Sequence, residues 1–222
     1  MKTHYVVIIA ICLALQSCQH AQDVKHDEEA ALYNTQLGLA YLSQGDRSLA
    51  KRKLLMALAQ APNLPSANAS MAYFMEKTGD MVKTEYYYRR AMLFAPGRGA
   101  QLNNYGAFLC RQGRYQQAER YFLLAVQDVQ YDHTAAAYEN AGLCVKAIPD
   151  DKKAVTYFQN ALMQDPLRKQ SLYELVRIEL KQGQVAAATR HLQNYSSLVS
   201  HDPILTELAH SVAYKRVHTG VN

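Results

Sequence analysis

The sequence has none of the short motifs that mark the common catalytic centres. An HExxH pair, a GxSxG elbow, a Walker loop and a CxxC pair are all absent, which argues against metalloprotease, hydrolase, nucleotide-dependent and thiol-exchange chemistry. Four histidines near the end of the chain lack metal-ligand spacing, and we interpret them as surface residues: His191, His201, His210 and His218. We therefore expect no enzyme, no cofactor, no metal site and no small-molecule substrate.

The positive charge is too small and too scattered to indicate a nucleic-acid partner. The formal net charge is +5, from 24 Lys and Arg against 19 Asp and Glu. Clusters such as Lys51-Arg52-Lys53 and Arg89-Arg90 lie in segments of helical period, where a solvated outer face is expected. The chain has no tryptophan but 16 tyrosines, and tyrosine suits repeat cores and protein-binding surfaces. Binding to another protein is the expected role.

An apolar run stands at the start of the chain, from Val6 to Leu15. It is too short for a bilayer, which needs about 20 apolar residues, and with the basic Lys2 before it the pattern is that of a secretory signal peptide. The residues LQSC, 15–18, resemble the bacterial lipobox, in which the chain is cut before the cysteine and the thiol is acylated. We expect residues 1–17 to be removed and Cys18 to be lipidated. The alternative is an ordinary signal peptide cut elsewhere, with Cys18 incidental.

The resemblance to a lipobox also indicates a location. Gln19 follows the cysteine, whereas an aspartate at that place resembles a signal for retention in the inner membrane. We expect a lipid-anchored protein of the outer membrane that faces the periplasm, with residues 18–30 forming the lipidated cysteine and its tether.

Glycine, proline and alanine recur along the rest of the chain at a spacing of 34 residues. Gly45, Gly79 and Gly113 form one such series. Two further series are Pro62, Pro96 and, after a two-residue slip, Pro166, and Ala57, Ala91, Ala125 and, after the slip, Ala161. This spacing resembles the tetratricopeptide repeat, a pair of antiparallel helices, and predicts an all-α superhelical solenoid of five to six helix-turn-helix repeats.

The repeat pattern divides the chain into helix pairs. Small residues at repeat positions 8, 20 and 27 let the two helices approach closely, and a large residue at position 24 fills the space between them. Each pair leaves an apolar face that a neighbour must cover, so the pairs stack into one continuous core. The predicted repeats span residues 31–64, 65–98, 99–132, 135–168 and, in degenerate form, 169–202, followed by a capping helix at 203–218.

Departures from the pattern predict local irregularity. His133 and Thr134 are inserted between the third and fourth repeats, and Pro149 stands where the fourth repeat should have its turn glycine. We expect these changes to alter the stacking between those repeats. The fifth repeat has Val176 and Tyr195 at two positions that are small in the other repeats, which weakens the match there.

Two cysteines, Cys110 and Cys144, lie on the first helices of the third and fourth repeats. Because first helices of adjacent repeats lie side by side in such a solenoid, the two thiols could meet, and an oxidising periplasm favours a bridge. We favour a disulfide, which would contribute about 3 to 4.7 kcal/mol in the chain-entropy model. The alternative is two buried free cysteines that pack as small apolar residues.

The inner face of a tetratricopeptide array is lined chiefly by positions 2, 5, 9, 12 and 13 of each first helix, and we expect a peptide segment of a partner protein to bind there. Asn103 is the most suggestive, since an amide can both donate to and accept from a peptide backbone. The residues predicted to line this groove are Leu39, Leu42, Tyr73, Asn103, Ala107, Arg111, Leu143, Tyr173 and Arg177. The alternative for each is a solvated position that contacts no partner.

Two segments resemble one family of repeat proteins more narrowly. NNYGAFLCRQGRYQQAERYF (103–122) and AAYENAGLCVKA (136–147), with the lipobox and the repeats, are similar to the type IV pilus biogenesis lipoproteins of the PilF/PilW family. The resemblance implies a pilotin, an outer-membrane lipoprotein that helps the pilus secretin reach that membrane and form its multimeric ring, in support of twitching motility. Other pilus assembly proteins are further candidate partners. The alternative is a general tetratricopeptide lipoprotein that acts as an adaptor for outer-membrane protein assembly or for envelope hydrolases.

Overall fold

The computed structural model describes residues 26–95, 97–148 and 150–219. The expected signal peptide, Cys18, Pro96 and Pro149 lie outside these ranges. Within them the chain forms α-helices joined by short turns, and no strand is present. The prediction of an all-α protein is confirmed.

The helices of the described ranges form two compact units, one built from α1–α4 and the other from α5–α12. Their bounds are 26–43 (α1), Arg47–Gln60 (α2), Pro65–Thr78 (α3), Met81–Phe94 (α4), Gly99–Arg111 (α5), Tyr115–Gln127 (α6), Thr134–Val145 (α7), Asp151–Gln164 (α8), Lys169–Lys181 (α9), Val185–Asn194 (α10), Ser196–Ser200 (α11) and Pro203–Thr219 (α12). Among these, no helix is both long enough and apolar enough to cross a membrane.

Aspartates begin several of the second helices. Asp46, Asp80 and Asp150 precede α2, α4 and α8, and each side chain accepts a hydrogen bond of 2.9–3.0 Å from the backbone N–H three residues on. Such N-caps pair backbone donors that the first helical turn leaves unsatisfied. Gly45 and Gly79 come just before two of these caps with φ of 84° and 88°, a left-handed conformation that glycine adopts without strain. In the first two repeats the turn between paired helices is therefore set by a glycine and an aspartate.

Glycine on a first helix lets the second helix approach closely. A Cβ added at Gly106 on α5 would lie 2.8 Å from the Phe122 ring on α6, and one added at Gly142 on α7 would lie 2.7 Å from the Phe158 ring on α8. Both rings are almost fully buried. The small and large residues expected at positions 8 and 24 thus pack directly against each other.

Each unit has its own apolar core. In the first unit, Leu54 packs with Met71, Phe74 and Met75, which joins the first helix pair to the second. In the second unit, a larger cluster begins at Val145 and Phe158 on α7 and α8. It continues through the fifth repeat to α12, where its buried members are Leu205 and Val212. The last helix therefore covers part of the fifth repeat, as a capping helix should.

The start of α1 differs from the expected tether. Residues 26–30 are already helical, so the segment assigned to the tether extends too far along the chain. This stretch contains Asp27, Glu28 and Glu29, and acidic side chains stabilise the N-terminal part of a helix because of the helix dipole.

The two-residue insertion is taken up at the start of α7. Thr134 is the first residue of that helix and His133 directly precedes it. The loop before them folds back on α5, where Asp128 Oδ2 accepts hydrogen bonds from the N–H groups of Arg98 (2.6 Å) and Gly99 (2.7 Å). A hydrogen bond from the N–H of Gln130, and then those from Gly99 and Arg98, hold the pKa of the Asp128 carboxyl below its usual range.

The fifth repeat is shortened at its second helix. α10 ends at Asn194, and Tyr195 occupies the place held by fully buried alanines such as Ala125 and Ala161 in other repeats. A tyrosine ring is too large for the close helix contact that alanine allows. The helix is interrupted at Tyr195, and the short helix α11 begins at the next residue.

Candidate partner-binding surface

In the first unit, the predicted groove residues lie on α1 and α3 and differ in exposure. Leu39 is 38% exposed, whereas Leu42 is half-buried and packs against the Leu54 cluster. Tyr73 on α3 is half-buried, and the Lys77 Nζ atom lies 5.2 Å from its ring centroid. Leu39 and the Tyr73–Lys77 pair are therefore the members that a partner can contact.

In the second unit, the first helices α5, α7 and α9 carry the remaining groove residues. Asn103 and Ala107 on α5 are half-buried, while Arg111 is exposed at its end. The Asn103 Oδ1 atom accepts a hydrogen bond of 2.9 Å from Asn140 Nδ2 on α7. This bond joins two first helices, and it uses one of the two lone pairs of the oxygen with which we expected Asn103 to accept from a peptide.

An aromatic ring covered by a cation recurs on α9. The guanidinium of Arg177 lies 5.5 Å from the Tyr173 ring centroid, one helical turn apart as in the Tyr73–Lys77 pair. Such cation–π contacts stabilise an exposed ring by about 0.5–1 kcal/mol and leave the cation able to pair with an acidic group. Leu143 on α7, 37% exposed, adds apolar surface to the same unit. These features suit a peptide with mixed apolar and acidic side chains.

Polar contacts between α7 and α9 were not anticipated from the sequence. Glu139 accepts hydrogen bonds from Arg168 Nη1 (3.1 Å) and Ser171 Oγ (2.7 Å). Lys146 forms an ion pair with Glu174, whose side chain is only 8% exposed. Charged hydrogen bonds of this kind, shielded from water, are stronger than those on an open surface. They fix the spacing of the two first helices.

Second helices are joined in the same way. Glu119 on α6 accepts a hydrogen bond of 2.5 Å from the Tyr157 hydroxyl on α8 and pairs with Lys153 Nζ at 3.1 Å. Burial, and then the adjacent Glu119 carboxylate, raise the pKa of Tyr157 well above its usual value. The hydroxyl therefore remains a donor throughout the physiological range.

One histidine is more buried than the sequence analysis predicted. His191 was interpreted as a surface residue, but its side chain is 23% exposed and its Nδ1 atom lies 2.9 Å from Glu179 Oε1, on a carboxylate that is 3% exposed. The contact could not be predicted from the sequence, because the two residues lie on different helices of the fifth repeat. Within the described ranges, His, Cys, Asp and Glu nowhere form a group of three that could hold a metal ion.

A covalent bond also joins α5 to α7. Cys110 and Cys144 form a disulfide, with their Cα atoms 5.8 Å apart. Cys144 is buried and Cys110 half-buried. The disulfide and the Asn103–Asn140 hydrogen bond both join α5 to α7. The third and fourth repeats are therefore connected at more than one place.

Comparison with known proteins agrees with this architecture. A tetratricopeptide-repeat family model matches residues 99–163. The chain is 30% identical over 168 residues to the type IV pilus assembly protein PilF of Pseudomonas aeruginosa, an alignment that covers 73% of this chain and 67% of that protein.

Two solved structures are similar along most of the chain. The structure of Pseudomonas aeruginosa PilF superposes with a TM-score of 0.69 at 25% identity, and covers 88% of this chain and 95% of its own. PilW, a widely conserved type IV pilus biogenesis factor, gives a TM-score of 0.65 at 24% identity over 86% of this chain and 94% of its own, which supports the fold. The predicted tetratricopeptide solenoid is confirmed, and the chain belongs to the PilF/PilW family of tetratricopeptide-repeat proteins.

Proposed function

We propose that this protein is a pilotin for the type IV pilus secretin. It is anchored in the outer membrane through an acylated Cys18, faces the periplasm, and binds secretin subunits so that they reach that membrane and form their multimer. The observation that carries this proposal is the 30% identity to a type IV pilus assembly protein over two thirds of that protein's length. The lipobox residues 15–18 support the location.

The first-helix faces are the proposed binding surface. Tyr73 with Lys77, and Tyr173 with Arg177, offer an aromatic surface beside a cation. In the second unit the disulfide and the Lys146–Glu174 pair hold the first helices in place before a partner arrives. A surface that is ordered in advance loses less conformational entropy on binding, which increases affinity.

Lipidation gives this surface its place of action. Acyl chains contribute about 0.8 kcal/mol per buried CH₂, so a multiply acylated cysteine anchors the protein firmly. The segment 19–25 can span at most about 25 Å, which holds the first described helix near the membrane. Secretin subunits bound there are at a high effective concentration for one another, and this favours assembly of the ring.

The test is complementation of a strain that lacks the gene. Cys18→Ala should leave the protein folded and able to bind secretin, yet secretin should no longer enter the outer-membrane fraction. Arg177→Glu should weaken secretin binding by about tenfold because it reverses the charge beside Tyr173. Arg120→Glu, an exposed change on the second helix α6, is the matched control and should bind like the wild type.

Two results would count against the proposal. Normal secretin delivery by Cys18→Ala would remove the role of the anchor. Equal binding by the Arg177 and Arg120 variants would remove the first-helix face of α9 from the binding surface.

A further inference from the structure

A long apolar groove lies at the C-terminal end of the second unit, away from the first-helix face. It runs between α10–α11 on one side and α12 on the other, and its volume is about 720 Å³. Apolar and small side chains dominate its walls. They include Leu192, Val199, Ala209, Ala213 and Val217.

The residues that line the groove follow helical spacing on both walls. On α10 they are Thr189, Leu192 and Gln193, on α11 they are Ser196, Val199 and Ser200, and on α12 they include the series Thr206, Ala209, Ala213 and Val217. Successive members are one, three or four residues apart, the spacing of a single helix face. On α12 the stripe runs from 206 to 217, about 16 Å or three helical turns. The two walls, with open space between them, can accommodate a third helix.

The position of the groove in the repeat pattern also indicates that a helix would fit there. In the fourth repeat the first helix α7 packs against its second helix α8, and α8 lies beside α6 through the Glu119–Tyr157 contact. α12 stacks on the fifth repeat as the first helix of a sixth repeat would. In the part of the chain that the structure describes, no second helix accompanies α12. The space between α10 and α12 is where such a helix would pack.

The charge of the side chains that line the groove favours an acidic partner helix. His210 and Arg216 are the ionisable residues that line the groove, and no acidic side chain of the described residues lines it. Both stand on α12, one on each side of Ala213. A helix with acidic residues flanking its apolar stripe is complementary to these walls, whereas a basic helix is repelled.

We propose that the groove between α10 and α12 binds an amphipathic helix of a partner protein, about three turns long, with acidic residues beside its apolar stripe. The bound helix would lie beside α12 as a second helix lies beside the first helix of its own repeat. This is helix-in-groove recognition, in which apolar residues at i, i+3 or i+4 and i+7 enter the groove. The proposal goes beyond the secretin-binding function and does not depend on it.

The first experiment selects from a displayed library of 14-residue peptides with apolar residues fixed at helical spacing and all other positions random. The bait is the protein from Gln19 onward, which retains every residue that the structure describes. We expect selected peptides to be enriched in Asp and Glu and to lose at least about tenfold in affinity for Ala213→Glu, which places a bulky acidic group inside the groove. Failure to recover peptides that distinguish this variant, or enrichment of Lys and Arg, would overturn the proposal.

Charge exchange provides the second experiment. Arg216→Glu should weaken binding of a selected acidic peptide by about tenfold and strengthen binding of the same peptide with Lys in place of its acidic residues. Arg190→Glu, on α10 but outside the lining of the groove, is the control and should change affinity less than twofold. Loss of affinity for both peptide versions would contradict a charge-selective groove.

Controls for folding and self-association complete the test. Thermal unfolding followed by circular dichroism should be unchanged by Ala213→Glu, since Ala213 is exposed. If that variant unfolds, Gln193→Trp fills the groove from the opposite wall and should abolish peptide binding equally. Light scattering should give a monomer at rising concentration. A dimer of the wild type that Ala213→Glu disrupts would assign the groove to a second copy of this chain and overturn the proposal.

Discussion

The two units of the molecule join neighbouring repeats by different means. In the first unit, Leu54, Met71 and Phe74 form an apolar contact between repeats, and Arg90 donates a hydrogen bond of 2.9 Å to the neutral carbonyl of Pro62. In the second unit, apolar packing is supplemented by the Cys110–Cys144 disulfide and by buried charged pairs such as Lys146–Glu174.

This difference indicates which unit is the more rigid. Apolar packing is non-directional and tolerates small shifts of one helix over another, whereas a disulfide and a buried ion pair fix a specific distance. We therefore expect the first-helix face of the second unit to keep one geometry, and that of the first unit to adjust more readily.

The largest effect should come from removing a core ring of the second unit. Phe158→Ala deletes a fully buried ring packed on Gly142, and we expect it to lower the free energy of unfolding by about 3–5 kcal/mol. Met163→Ala on the same helix is the control, because Met163 is 70% exposed. Urea unfolding measures both variants, and equal midpoints would contradict the packing described for the fourth repeat.

Loss of the disulfide should follow closely. Cys110→Ser with Cys144→Ser opens a loop of 34 residues, which corresponds to about 3–4 kcal/mol in the chain-entropy model. Hydrogen exchange resolves the effect by helix. We expect faster exchange in α5 and α7 and unchanged exchange in α2 and α3; a uniform change in both units would contradict a bridge that braces the second unit specifically.

Removal of one ion-pair partner should have a smaller effect. Lys146→Ala leaves the Glu174 carboxylate buried without its cation, and we expect a loss of about 1–3 kcal/mol in the free energy of unfolding. Lys181→Ala is the matched control: it breaks the pair with Asp151 between the same repeats, but Lys181 is 72% exposed, so about 0–1 kcal/mol is expected. Thermal unfolding of the two variants side by side provides the measurement, and a larger loss for Lys181→Ala would reverse the assignment.

The smallest effect should be present at neutral pH and disappear in acid. The pKa of Asp128 is lower in the folded protein than in the unfolded chain, so its contribution to stability is complete above the unfolded pKa, near 4, and is lost as pH falls through the lowered folded value. Asp128→Asn should therefore be less stable than the wild type at pH 7, and the two should converge towards pH 2. A constant difference between the two proteins across this range would show that the carboxylate charge is not the cause.

The repeat register could be predicted from the sequence because it depends on backbone sterics. Gly106 and Gly142 must be small wherever Phe122 and Phe158 face them, so the repeat survives in the sequence even where the two-residue insertion lengthens its spacing. The polar contacts could not be predicted in the same way. Lys146 meets Glu174 at a separation of 28 residues, whereas Tyr157 meets Glu119 at 38, because long side chains reach their partners at variable distances along the helices.

The candidate surface was predictable only in part. Repeat position placed Tyr73, Tyr173 and Arg177 on the first helices. Position alone did not reveal that Leu42 packs against the core or that Asn140 donates a hydrogen bond to Asn103. The groove beside α12 was not predicted from the sequence, for a related reason. It is formed by the absence of a second helix next to α12 within the described ranges, and a repeat pattern reports the helices that are present.

The most direct test of the pilotin proposal is the amount of heat- and detergent-resistant secretin multimer in outer-membrane fractions of cells with and without this gene. We expect the multimer to disappear without the gene while secretin monomer is still made, and to return with the wild-type gene but not with Cys18→Ala. Unchanged multimer in the absence of the gene would contradict the proposal, and loss of envelope integrity in those cells would indicate a general adaptor of the cell envelope instead.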